Sequence, residues 1–267
     1  FGMAEAMRLP LLAIIQQRGG PSSGTVVYSQ QEVTLTTFGG NGEGMRIVYS
    51  TATHQEIYDY IIKGFNTAWK HRFPVFILGD GYQAKMREPM EMYDPEDRGI
   101  EMVKPYPLIG VEGRITEGRQ PQHLCNIYSL EEELYEVVMK VAAEYEALQD
   151  QIVEYEERYC EDAEIIVLSH GVVSRAADDA VRALRAQGIK AGYFRPITLR
   201  PYPAKQLRAA LGRNGVKKIL VAESAYGQLE RLTKQEIFGE TVKFESLFLP
   251  GVGIIDYDII NKVKSVL

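Results

Sequence analysis

Gln16-Gln17-Arg18-Gly19-Gly20-Pro21-Ser22-Ser23-Gly24 follows directly on the apolar run Leu9 to Ile15. The pattern is a strand running into a glycine-rich, hydroxyl-bearing turn with an arginine at the junction. Glycine has no Cβ, so backbone N–H groups there can approach a ligand closely. The guanidinium of Arg18 adds a planar fork of donors matched to a carboxylate or phosphate. Arg18, Gly19, Gly20, Ser22 and Ser23 are therefore candidate ligands of a small acid. An ordinary Gly-Pro-Ser turn with a solvated arginine fits the same residues, so the surrounding chain has to decide.

Outward from this stretch the sequence keeps an α/β rhythm. The first half reads as a short helix up to Met7, a strand Leu11 to Gln16, a loop through Gly44, a strand Arg46 to Tyr49, a helix His54 to Lys70 capped by Thr53, and a strand Phe73 to Leu78. In that helix Ile57, Tyr60, Ile61, Phe65, Ala68 and Trp69 recur at helical spacing and form the face expected to pack on a sheet. From Glu88 to Pro121 prolines and glycines break any long element, and a helix from Leu130 to Tyr159 follows, with Glu131, Glu132 and Glu133 suited to the positive end of its dipole. The second half alternates cleanly. Strands are expected at Ile165 to Ser169, Lys190 to Phe194, Lys218 to Glu223 and Val242 to Leu249, and helices at Ser174 to Gln187, Ala204 to Arg213, Gln228 to Phe238 and from Ile255 onward. Parallel strands joined by crossover helices bind ligands beyond their carboxyl ends, which would place Arg18 and Asp80 on the same rim.

The 267 residues, 45% hydrophobic and 25% charged, suit one large or two modest globular domains. A formal net charge of −6 argues against non-specific nucleic-acid binding. The two cysteines, Cys125 and Cys160, lie far apart and cannot by themselves build an iron–sulfur cluster or a zinc site. The longest apolar runs are strand-sized, so a soluble, cytoplasmic protein with no membrane partner is expected.

Several stretches together resemble the α subunits of 2-oxoacid:ferredoxin oxidoreductases. These are Arg18 to Gly24, Tyr28-Ser29-Gln30-Gln31-Glu32, Phe38-Gly39-Gly40-Asn41-Gly42-Glu43-Gly44, and Phe194-Arg195-Pro196-Ile197-Thr198-Leu199-Arg200-Pro201-Tyr202-Pro203, in the family's order. Ser23 stands where threonine is commoner. The resemblance implies an α/β protein with a partial thiamine-diphosphate-binding, pyrimidine-type domain over residues 1–110, a connecting region and helix over 111–160, and a transketolase C-terminal-like domain over 161–267. It implies oxidative decarboxylation of a 2-oxo acid, with coenzyme A taking the acyl group and ferredoxin the electrons. Thiamine diphosphate and magnesium would be shared with a β subunit that carries the diphosphate-binding domain, and [4Fe-4S] clusters would sit on partner subunits, with γ and δ subunits as further candidates. Arg18 would pair with the substrate carboxylate, surrounded by Gly19, Gly20, Ser22 and Ser23. Because the chain opens Phe1-Gly2-Met3, the glutamate that family members place against the aminopyrimidine ring is expected upstream of Phe1. The Gly-Pro-Ser-Ser-Gly run favours 2-oxoglutarate; Glu157 to Arg175 and the Phe194 to Pro203 segment also resemble enzymes of branched-chain acids such as 2-oxoisovalerate, and pyruvate is a further alternative. A second carboxylate would need another cation, for which Arg46, Lys85 and Arg87 are candidates. A non-catalytic assembly subunit and a split, non-redox transketolase are readings of other classes.

Other motifs carry less. Gly79-Asp80-Gly81 looks like the diphosphate signature of thiamine enzymes, yet the next asparagine is Asn126, so it reads as a strand-to-loop turn. Gly39 to Gly44 lacks the Gly-Lys-Ser/Thr ending of a phosphate loop and is read either as a lid or as a solvated loop. His170 at a strand end reads as a packing or capping group, and Gln228 as a helix-start or interface residue. The His-Asp-Glu-Gly stretch of many family members is replaced here by Gly110 to Asn126, with only His123 in a different setting.

Overall fold

A computed structural model of the chain describes residues 1–25, 27–105, 124–213 and 215–267. In chain order the elements are α1 (Gly2–Ala6), β1 (Leu12–Gln17), α2 (Val33–Phe38), β2 (Ile47–Ser50), α3 (His54–His71), β3 (Val75–Asp80), α4 (Glu131–Ile152), β4 (Tyr155–Arg158), β5 (Ile165–Leu168), α5 (Val173–Ala186), β6 (Ala191–Pro196), β7 (Thr198–Arg200), α6 (Ala204–Leu211), β8 (Lys218–Glu223), α7 (Gln228–Glu236), β9 (Lys243–Phe248) and α8 (Asp256–Val266). His123 lies outside the described residues.

Two sheets organise these elements. The first has the order β1-β3-β2-β7, and the second β4-β6-β5-β8-β9. In the first, β1, β3 and β2 are parallel, with Gln17 opposite Asp80 and Ile47 opposite Val75. In the second, β6, β5, β8 and β9 are parallel and β4 is an antiparallel edge. The expected α/β class with parallel sheets is what the chain adopts.

Side-chain alternation fixes the layers. Val48, Phe76 and Leu78 face a core that also holds Ile166, Leu168 and Phe194 of the second sheet, so the two sheets share one apolar layer. Ile47, Tyr49, Val75 and Ile77 face the other way, onto α3 and α4. Ile165 and Val167 face α5 and α8. Thr53 caps α3 as expected, accepting the Glu56 amide at 3.1 Å.

Three elements differ from the expectation. The helix expected to Tyr159 stops at Ile152, and Tyr155–Arg158 forms β4 along β6. The loop expected from Gly24 to Gly44 contains α2. No strand is expected between Phe194 and the helix from Ala204, yet Thr198–Arg200 forms β7, the antiparallel edge of the first sheet, with Thr198, Leu199 and Tyr202 buried. Among the described residues no helix is long and apolar enough to cross a membrane.

Candidate functional site

The strand β1 ends at Gln17, and Arg18 begins the turn as an exposed side chain whose Nη1 donates to the Ser23 carbonyl. The turn is closed by the Thr25 amide donating to the Gly19 carbonyl at 2.9 Å. Two glycines are required by contact. Gly24 has φ +36, and a Cβ there would lie 1.6 Å from the Gly19 carbonyl oxygen; a Cβ on Gly19 would meet Thr25 Oγ1 at 2.6 Å. Ser22 and Ser23 are exposed, and Ser22 sits in the left-handed region at φ 56. All five candidate residues thus share one turn. The Gly20 amide, however, donates to Gln31 Oε1 at 2.6 Å, so it is already engaged.

The carboxyl ends of both sheets converge on the segment that follows. Ser50, ending β2, bonds through Oγ to His170 Nδ1 beyond β5 at 2.8 Å. Asp80, ending β3, accepts from the Val172 amide at 3.3 Å. Buried Gln30 donates to the His170 carbonyl and exchanges two further bonds with the Ser224 backbone beyond β8. The turn itself approaches the loop after β9, since a Cβ on Gly19 would lie 3.6 Å from Gly251 Cα. The described residues of segment 19–31 are therefore wedged between two strand-end rims, the place where open α/β sheets bind ligands.

The polar groups under this rim are buried and bond within the chain. Burial pushes the Asp80 carboxyl up to about 6, against backbone bonds from Gln83 and Val172 that favour its charge. Asp80 thereby ties the 80–83 turn and the two halves together, which is the turn role expected of Gly79-Asp80-Gly81. His170 is fully buried, and burial first, then the neighbouring Arg195 charge, holds it neutral down to about 3. Its Nδ1 bonds to Ser50 and its carbonyl accepts from Gln30, the packed position expected of it. Arg195, also buried, pairs with Glu56 at 2.5 Å and donates to the Ser50 carbonyl at 3.2 Å.

Arg46, one candidate for a second substrate carboxylate, is committed elsewhere. It is buried, pairs with Glu5 at 2.5 Å and donates to Gly39 O at 2.6 Å, so it anchors the Gly39 to Gly44 loop to α1. Lys85 and Arg87 are exposed on the segment after β3. A cavity of about 290 Å³ lined by Tyr28, Tyr82, Met86, Val172 and Ile254 opens beside segment 19–31. Among the described residues no group of three or more His, Cys, Asp or Glu side chains is placed to hold a metal ion. Sequence reasoning singled out Gln30 and Gln31 only as part of the Tyr28 to Glu32 stretch and missed what they hold, because the partners of Gln30 lie 140 and 194 positions away.

Residues 1–157 match the family model for pyruvate flavodoxin/ferredoxin oxidoreductase, thiamine-diphosphate-binding, and residues 163–247 match pyruvate:ferredoxin oxidoreductase core domain II. The chain belongs to the 2-oxoacid:ferredoxin oxidoreductase family. Its relatives are oxidoreductase subunits. Ketoisovalerate oxidoreductase subunit VorB of Methanothermobacter marburgensis is 32% identical over 97% of this chain and 71% of its own length. 2-Oxoglutarate synthase subunit KorA of Methanocaldococcus jannaschii is 31% identical over 88% of this chain and 69% of its own length. The fold matches that of 2-oxoglutarate:ferredoxin oxidoreductase from Magnetococcus marinus, solved with 2-oxoglutarate, coenzyme A and succinyl-CoA bound, at a TM-score of 0.79 and 24% identity over 99% of this chain and 50% of that one. Within this 2-oxoacid:ferredoxin oxidoreductase subunit the thiamine-type half is the half that carries the Arg18 turn.

Proposed function

We propose that this chain is the α subunit of a thiamine-dependent 2-oxoacid:ferredoxin oxidoreductase and that its own contribution is recognition of the substrate's carboxylate. The observation that carries this is an exposed guanidinium at the carboxyl end of β1, on a turn built from close-approach glycines, where two sheet rims meet. Arg18 can turn from the Ser23 carbonyl to a carboxylate, an exchange of a neutral acceptor for a charged one that strengthens the bond. Ser22 and Ser23, exposed on the same turn, would add hydroxyls around the acid, and the turn would orient it toward the subunit boundary.

The residues present fit a facing role toward thiamine diphosphate rather than the holding of its diphosphate. Asp80, a carboxylate on the rim of the first sheet, is buried and spent on two backbone amides. When bound, the coenzyme supplies the carbanion chemistry of decarboxylation. A β subunit would hold its magnesium diphosphate, and [4Fe-4S] clusters on partner subunits would pass electrons to ferredoxin, with coenzyme A taking the acyl group. Cys160 is suited to neither cluster ligation nor acyl transfer, since it is buried and burial pushes its thiol up to about 12.

2-Oxoglutarate is the favoured substrate on the resemblance of the Gly20 to Gly24 run, and Lys85 and Arg87, exposed after β3, are the candidates for its second carboxylate. A branched-chain acid is the second reading, because the 290 Å³ cavity beside Tyr28 has an apolar wall of Met86, Val172 and Ile254 that suits an aliphatic substituent, with the charged Arg175, Asp179 and Asp256 also lining it. The purified complex, assayed by dye or ferredoxin reduction with coenzyme A present, should turn over 2-oxoglutarate and leave 2-oxoisovalerate untouched. The reverse preference establishes the second reading. Turnover of neither acid nor of pyruvate, or a complex without visible iron–sulfur absorption, overturns the oxidoreductase reading.

A further inference from the structure

We infer that Gln31 and Gln228 are positioning residues, a relay of side-chain amides through which the second half of the chain holds the Arg18 turn in the posture that receives an acid. This rests on the functional reading above. Gln31 Oε1 accepts the Gly20 amide at 2.6 Å, two residues past Arg18. Gln31 is in turn gripped from the other half: Gln228 Nε2 donates to the Gln31 carbonyl at 2.7 Å, and Gln228 Oε1 accepts the Thr34 amide at 2.9 Å. Gln228 is the first residue of α7, and the start of that helix is pinned by buried Glu223, which accepts the Leu229 and Glu230 amides at 2.9 and 3.1 Å. The order of contact therefore runs from β8 through α7 to Gln31 and into the turn.

On the stretch between, Gln17 Oε1 accepts the Glu32 amide at 3.1 Å, and Gln30 is tied to His170 and Ser224. These fix the backbone that carries Gln31 and leave the turn's bond to the second half to the Gln31 and Gln228 amides. The chemistry of the relay suits its place. Carboxamides hold backbone groups without adding charge, so they neither pair with Arg18 nor repel an incoming anion, as a carboxylate at position 31 would. A turn held in its binding posture loses less conformational freedom when the ligand arrives, so the relay should appear in affinity rather than in the chemical step.

The test uses the assembled complex with Gln31→Met, Gln228→Met and the double variant, read by hydrogen exchange of the 17–25 segment and by steady-state kinetics. Each single change should speed exchange in that segment and raise KM for the 2-oxo acid by roughly two- to tenfold, the span set by one hydrogen bond, with kcat held within about twofold. The double variant should be no worse than the larger single effect, because both side chains act through one path. Gln31→Glu keeps an acceptor for the Gly20 amide, so exchange should stay slow while KM still rises from charge repulsion. If Gln228→Met does not assemble, the two Gln31 variants carry the comparison. Unchanged exchange in Gln31→Met, unchanged KM despite faster exchange, or single effects that multiply in the double variant would each overturn the relay. A wild-type complex inactive on every 2-oxo acid instead sinks the functional reading and the positioning role with it, while exchange still shows whether the two amides hold the turn.

Discussion

At Gly24 the backbone leaves no room for a side chain, with a Cβ meeting the Gly19 carbonyl at 1.6 Å. Gly24→Ala must therefore open the turn. We expect a loss of about 1–3 kcal/mol in stability, the range of stored backbone strain, checked by urea denaturation. His170 and Asp80 give a pH signature of opposite signs. His170 is held neutral to about 3, below its unfolded value of 6.5, so the unfolded state binds the extra proton and stability falls as pH drops below 6.5. Asp80 titrates at about 6, above its unfolded 3.8, so its contribution is present at low pH and is lost as pH rises through that window. The two slopes oppose each other between about pH 4 and 6. His170→Gln should accordingly lower the stability at pH 7 relative to that at pH 5 by about 2 kcal/mol compared with the parent chain, and Asp80→Asn should raise it; no change in either would contradict the burial assigned to them. At this scale the Arg18 turn was legible because its chemistry is local. Gln228 was legible as a helix-start or interface residue, and it opens α7; its partner 197 positions away, and that of Gln30 140 positions away, were not legible.

Among elements, those with a full hydrophobic period were readable. α3 carries its Thr53 cap and packs Tyr60, Ile61 and Ala68 on the first sheet, although Phe65 of the same stripe is 45% exposed. Thr53→Ala should cost about 1 kcal/mol by removing the acceptor for the Glu56 amide, with Thr53→Ser close to the parent, as thermal denaturation would show. The short elements were not readable. β4 carries Tyr155-Glu156-Glu157-Arg158, whose acids continue the pattern of the preceding helix; only its pairing with β6 makes it a strand. β7 has three residues between prolines and gains its conformation from Tyr49 and Val48 across the ladder. α2 has six residues and no side-chain cap of its own; its first turn is satisfied by Gln228 from the other half, a tertiary contact invisible in sequence.

Across the whole molecule, two parallel sheets meet at their carboxyl ends, share one apolar layer and clamp segment 19–31 between them. The α/β class followed from strand-and-helix alternation; the meeting of the rims did not, because it depends on long-range bonds among polar residues that look ordinary in the sequence. On the proposed function this arrangement gives the second half a share in recognition, since its residues hold the segment that follows the exposed Arg18. The central claim is that Arg18 grasps the acid. The decisive measurement is KM and kcat of the assembled complex with Arg18→Ala, alongside Arg18→Lys. We expect KM for the 2-oxo acid to rise about 10- to 100-fold in the alanine variant, as befits loss of charge-assisted bonds to a carboxylate, with partial recovery in the lysine variant. Unchanged kinetics in an intact Arg18→Ala complex would contradict the account and favour a subunit that serves assembly alone.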